Sequence, residues 1–167
     1  MANIRGETEI EQLRIDYARL FVGPFELLAP PYGSVYLEGK RRVMGDSTID
    51  ARSRYQEAGL DISHDVKEAP DHIAIELEFM YYLIFKEIES FENADFESAM
   101  GYLGKQQAFL EEHLGAWATE FADSVEKNAG TDFYQNLARA TKVFIQNERH
   151  NLPEVSIAEL STLVAAG

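Results

Sequence analysis

From Pro70 to Ser90 the chain runs almost unbroken through apolar and aromatic residues at helical spacing, and this one segment restricts the fold more than any other. Ile73, Leu77, Met80, Ile84 and Ile88 make one stripe, while Ile75, Phe79, Tyr82 and Leu83 widen it beyond what a surface helix carries. A helix so apolar on several sides has to be wrapped by other elements. Pro70 suits a first helical position, where its missing N–H costs nothing, and Asp71 is placed to offset the positive end of the helix dipole. The spacing therefore predicts the central helix of an all-α domain.

Five further helices and a tail surround it in the reading. Glu7 to Val22 is amphipathic through Ile10, Leu13, Tyr17, Leu20 and Phe21, and Gly23 with Pro24 stops it. The next stretch, "GPFELLAPPYGSVYLEGKRR", is too rich in proline and glycine for regular helix and reads as an ordered, packed connection. Ser47 to Ala58 follows, with Ser47 and Asp50 spaced as a capping pair and Gly59 as the stop. Helices are predicted over Ala94 to Leu114 (Phe96, Met100, Leu103, Phe109 and Leu110 inward), Ala116 to Lys127 (Trp117 and Phe121) and Thr131 or Asp132 to Asn147 (Phe133, Leu137, Ala140 and Phe144 inward). Ser156 and Glu159 form a capping box before a short helix in the tail, 151–167. No segment alternates with strand chemistry and no repeat occurs. The expectation is an irregular single-domain helical bundle of about six helices over 1–167, with no sheet.

A chain of 167 residues suffices for one domain with a substantial core. With no cysteine, disulfides, thiolate metal sites and a cysteine nucleophile are excluded. The first residues lack the apolar core of a signal peptide, and no run is long and apolar enough to span a membrane, so a soluble cytoplasmic protein without direct membrane insertion is expected. The net charge of −14 argues against a nucleic-acid partner. Its distribution says more: Asp61 to Glu126 holds 16 acids and 3 bases. Such a segment either solvates helix faces or attracts a cationic partner.

Three kinds of site chemistry can be tested against spacing. "GSVYLEGKRR" ends in glycine and lysine, but five residues separate Gly33 from Gly39 where a phosphate loop has four, and Arg41 replaces the hydroxyl residue. Glu68, His72 and Glu76 recur every four residues, yet no Glu-x-x-His occurs and a single well-placed histidine does not make a metal site. Asp71 and His72 are neighbours, about 100° apart on a helix, so they do not relay a proton to each other. On the residues alone two readings of this pair stand level: ordinary chemistry of a helix entrance, or polar groups offered to a ligand there.

Three blocks carry a family resemblance. "DYARLFVGPFELLAPPYGSVYL", "EAPDHIAIELEFM" and "FLEEHLGAWATEF" occur in that order between Asp16 and Phe121, and together they resemble the TorD/DmsD family of redox-enzyme maturation chaperones, related to the nitrate reductase assembly chaperones. The resemblance implies an all-helical cytoplasmic chaperone that is not an enzyme. Its partners would be the twin-arginine leader and the catalytic subunit of a molybdopterin oxidoreductase, held until cofactor insertion and export. Carried over by position, the motifs place Glu68, Pro70, Asp71 and His72 at a hinge, with Tyr17, Leu20, Phe21, Pro31, Tyr32, Ser34 and Tyr36 lining or supporting a groove. Glu76 and Glu78 are weaker candidates, since either could only bridge to a neighbouring helix. Tyr17, Leu20 and Phe21 also fit a plain core face.

A leader with two arginines before an apolar segment needs acids beside an apolar groove, and 61–126 supplies both. No tightly bound cofactor and no metal is expected; contact with guanine nucleotide or the molybdopterin cofactor, associated with parts of the family, finds no motif here. Members usually carry helices before the first block, so their apparent absence predicts bare apolar surface and a homodimer or segment swap. The competing reading is an acidic helical scaffold or regulatory protein for another basic partner.

Overall fold

The computed structural model describes residues 2–24, 26–39 and 43–151, with side chains from residue 8 onward. Among them are seven α-helices and no strand. Helix α1 (Ala2–Tyr17) starts earlier than its apolar spacing suggests and runs into a π-helical turn, Ala18–Val22. Gly23 closes that turn at φ 63°, its N–H donating to Ala18 O at 2.7 Å. The connection read as non-helical contains α2 (Gly33–Leu37), one short turn that begins after the prolines and not through them. There follow α3 (Asp46–Glu57), α4 (Ile73–Glu92), α5 (Phe96–Glu112), α6 (Leu114–Asn128) and α7 (Asp132–Asn151). The helix expected in the tail lies outside the described residues.

The apolar segment that organised the sequence is the centre of the molecule. Phe79, Met80 and Leu83 of α4 meet Tyr55 of α3, Phe109 and Leu110 of α5, Leu114 and Ala118 of α6, and Ile145 of α7 in one core. A second core gathers the segment after α1 onto α6: Leu20 and Ala29 pack with Trp117, Phe121, Ala122 and Val125, and Ala138 of α7 closes it. Burying a side chain of this size contributes roughly 1.5–3 kcal/mol, so these clusters hold the bundle together without staples.

Several expectations need correcting. Helix α4 starts at Ile73, with Pro70 and Asp71 in the turn before it and His72 as its N-cap. In α3 the Ser47 and Asp50 pair does not cap: Glu38 accepts from both the backbone N–H (3.0 Å) and the hydroxyl (2.7 Å) of Ser47. Asp50 instead accepts from buried His113 at 2.7 Å. The inward face of α7 is Ala138 and Ile145, while Phe133, Leu137, Ala140 and Phe144 face solvent. The reason is that small Ala138 permits close packing on α6, which turns the bulky stripe outward. Phe96, Ile10 and Tyr17 are likewise exposed where inward positions were expected, and Ile88 leaves the α4 core.

Candidate functional site

The site begins with a backbone pairing. Gly33 N–H donates to Asp71 O at 2.8 Å and Ile73 N–H to Pro31 O at 2.9 Å, which makes an isolated antiparallel bridge between Tyr32 and His72. Proline in the first segment and the turn at Pro70 in the second leave both stretches extended and free to pair, as the residue before each proline favours. The bridge joins two sequence blocks that lie about forty positions apart. Tyr55 supports it from below, donating its hydroxyl to Pro70 O at 2.8 Å.

Asp71 is not the dipole partner of α4. Its side chain turns inward, only 1% exposed, and Oδ2 accepts from Ser34 N–H at 2.7 Å, capping α2 from outside. A carboxylate at a helix N-terminus is favoured by the same field expected for α4. The expectation of an acid offered at an exposed helix entrance is thereby corrected. Three atoms of this cluster, Ser34 Oγ, Asp71 Oδ1 and Glu76 Oε1, are buried without a hydrogen-bond partner among the described residues.

Glu76 joins from the first turn of α4. It is fully buried and accepts from Trp117 Nε1 at 2.9 Å. Burial pushes its carboxyl well above the usual range; the Trp117 bond opposes the shift and nearby Asp71 adds to it. Trp117 also stacks on Tyr36, with centroids 5.5 Å apart, and Phe121 leans on both rings. Gly33 is needed here because a Cβ would fall 2.9 Å from Trp117 Nε1.

What the hinge shows to solvent is a different set. Tyr32 donates its hydroxyl to Glu68 Oε2 at 2.7 Å, and its ring meets that of His72 edge to face at 5.3 Å. Burial, and then the bond and charge of Glu68, push the Tyr32 phenol up to about 12, so it remains a donor. His72 Nδ1 accepts from Ala74 N–H at 3.1 Å, which caps α4 and leaves Nε2 as the donor in the neutral ring. Burial holds the imidazole below its usual value despite the opposing charges of Glu68 and Asp71. The hinge thus presents an exposed Glu68 carboxylate, oriented by Tyr32, beside a half-buried imidazole.

Of the other sequence candidates, Pro31 is buried, Leu20 lies in the second core, and Phe21 packs on Phe121 and Tyr134 at 6.1 and 5.7 Å. Tyr17 is exposed and covers Phe21 edge to face. Glu78 makes no contact with the hinge residues; it lies further along α4, on the wall of a separate groove. Sequence reasoning did not single out Asp16, Tyr55 or Gly33. Asp16 is buried and accepts from Gly130 N–H (3.0 Å), Thr131 N–H (2.9 Å) and the Thr131 hydroxyl (2.8 Å), fastening α1 to the start of α7. No local spacing signals such a contact across 114 positions. Among the described residues no group of acids and histidines could hold a metal ion, and no helix is long and apolar enough to cross a membrane.

Residues 1–123 match the protein family described as nitrate reductase delta subunit. The "Probable Tat proofreading chaperone DmsD" of Haemophilus influenzae is 34% identical over 125 residues, 75% of this chain and 54% of that protein. The "Chaperone protein TorD" of Vibrio cholerae is 29% identical over 151 residues, 90% of this chain and 66% of that protein. A crystal structure from Archaeoglobus fulgidus, described as a candidate redox enzyme maturation protein, is 27% identical, with a TM-score of 0.56 over 82% of this chain and 67% of its own. The chain spans about half to two thirds of the length of these two chaperones.

Proposed function

Because the chain belongs to the TorD/DmsD family of redox-enzyme maturation proteins, we propose that it is a chaperone and not an enzyme. In this reading it binds the twin-arginine leader and apo form of a molybdopterin oxidoreductase in the cytoplasm, assists cofactor insertion and delays export. The single observation that carries the reading is the Glu68 carboxylate: exposed, oriented by Tyr32, and set beside His72 where two family blocks are bridged. A guanidinium binds such a carboxylate through charge-assisted hydrogen bonds, and the acidic excess of 61–126 would speed its approach.

The reading assigns the site residues two kinds of work. Glu68 and His72 Nε2 meet the partner, with Tyr17, Tyr32 and Phe21 as apolar margin. Asp71, Ser34, Glu76, Tyr36, Pro31 and Pro70 position that surface from inside. Self-association belongs to the same reading, because Ile15 and Tyr17 of α1 and Phe133 and Leu137 of α7 stay exposed.

Co-expression with a molybdoenzyme precursor tests it. The precursor should co-purify with the wild-type chain, and removal of its leader or the change Glu68→Ala should sharply reduce recovery. Equal recovery of the leaderless precursor and with Glu68→Ala would contradict the reading. Capture of an unrelated basic protein instead would favour the acidic scaffold.

A further inference from the structure

A groove of about 400 Å³ lies between α4 and the connection that leads from α3 to the hinge, and none of the hinge residues lines it. Its walls are Leu60, Ile62 and Val66 on one side and Ile75, Phe79 and Phe85 on the other. The volume is within the range of about 300–1,000 Å³ typical of ligand sites. Local bonds form it in advance. Gly59, at φ 80°, turns the chain off α3, and Leu60 N–H returns to Tyr55 O at 2.9 Å. Val66 N–H bonds Ser63 O at 3.0 Å, and the Tyr82 hydroxyl reaches Ala58 O at 3.3 Å.

Two large aromatic side chains stand open at this groove. Tyr81 is 69% exposed and Phe85 51%, their rings 6.4 Å apart, and Ile88 continues the stripe by one turn. Exposed aromatics next to an apolar hollow are the composition of an interface centre. Each wall of the groove carries one acid, Asp61 on the connection and Glu78 on α4. Glu78 lines it on the hinge side and makes no hydrogen bond or ion pair among the described residues, whereas Asp61 is paired with Arg52 at 3.1 Å. From Glu78 to Phe85 the helix rises about 10 Å at 1.5 Å per residue. Along α4 the wall therefore runs from an unpaired acid nearer the hinge to bare aromatics further from it. Tyr55 makes it continuous with the hinge, lining the groove while its hydroxyl bonds Pro70 O.

We infer that this groove receives the apolar stretch of the bound peptide, in the direction set by charge: basic residues at Glu68 and Glu78, the following apolar side chains between Val66 and Phe85. The inference rests on the leader-binding reading above and adds to it a second contact surface, outside the sequence motifs.

The test uses two synthetic peptides, one with two consecutive arginines followed by a leucine-rich stretch and one with those leucines changed to serine. The wild-type chain should bind the first about tenfold or more tightly than the second, as burial of two or three apolar side chains implies. Val66→Ser and Phe85→Ser, both at exposed positions, should abolish that preference and leave the affinity for the serine peptide unchanged. Variants that discriminate as wild type does would overturn the groove and leave the chaperone reading intact; a wild-type chain that binds neither peptide would take down both. Should a variant fail to fold, a photo-cross-linking residue at position 81 decides: capture of the leucine half supports the groove, and capture of the arginine end alone contradicts it.

Discussion

Asp71 shows how an acid in a family sequence block can serve the fold from inside. Its carboxylate satisfies the Ser34 N–H in a place that water does not reach. Asp71→Ala should destabilise the fold by about 1–3 kcal/mol, the cost of a buried donor left unpaired, measured by urea denaturation. Gly33→Ala should cost a similar amount, about 1–3 kcal/mol, by pressing a methyl group against Trp117. Glu76 gives the pH dependence. Its folded value is raised above the ordinary 4.5, so its contribution is fully present below that value and is lost as pH rises through the folded one. The stability of Glu76→Gln relative to wild type should therefore increase as pH is raised above the ordinary 4.5, measured by urea denaturation at a series of pH values, and a difference that does not change with pH would contradict this assignment.

At the scale of elements, acids borrowed from elsewhere hold helix beginnings. Asp71 caps α2, Glu38 serves the start of α3, and Asp16 reaches from α1 to the turn that opens α7. Burial raises the Asp16 carboxyl, but the bonds from Gly130, Thr131 and Arg19 outweigh it and hold it below the usual range. Its stabilising effect is thus present above that range and lost as pH falls through the lowered value. Asp16→Ala should cost about 1–2 kcal/mol near neutral pH and less in acid, measured by thermal melts. These contacts mark the limit of what periodicity reveals. The core of α4 was legible because Phe79, Met80 and Leu83 must be buried whatever surrounds them. The outward stripe of α7 was not, because spacing identifies an apolar face but not whether a neighbour covers it. At the site, the sequence blocks picked out the two segments that the Tyr32–His72 bridge joins, yet the inward turn of Asp71 depends on α2, an element that the prolines and glycines concealed.

Across the whole molecule, the two cores leave apolar surface on α1 and α7 and an acidic centre on 61–126. Light scattering across a dilution series should show a mass that falls with concentration, and a constant monomer would contradict the proposed self-association. The central claim, that Glu68 at the hinge receives a basic leader, is tested most directly by calorimetric titration with a twin-arginine leader peptide at low salt. The account predicts binding that weakens as salt is added and falls about tenfold with Glu68→Gln, because a charge-assisted pair is lost. Absence of binding by the wild-type chain at low salt, or an affinity that neither salt nor Glu68→Gln changes, would contradict it.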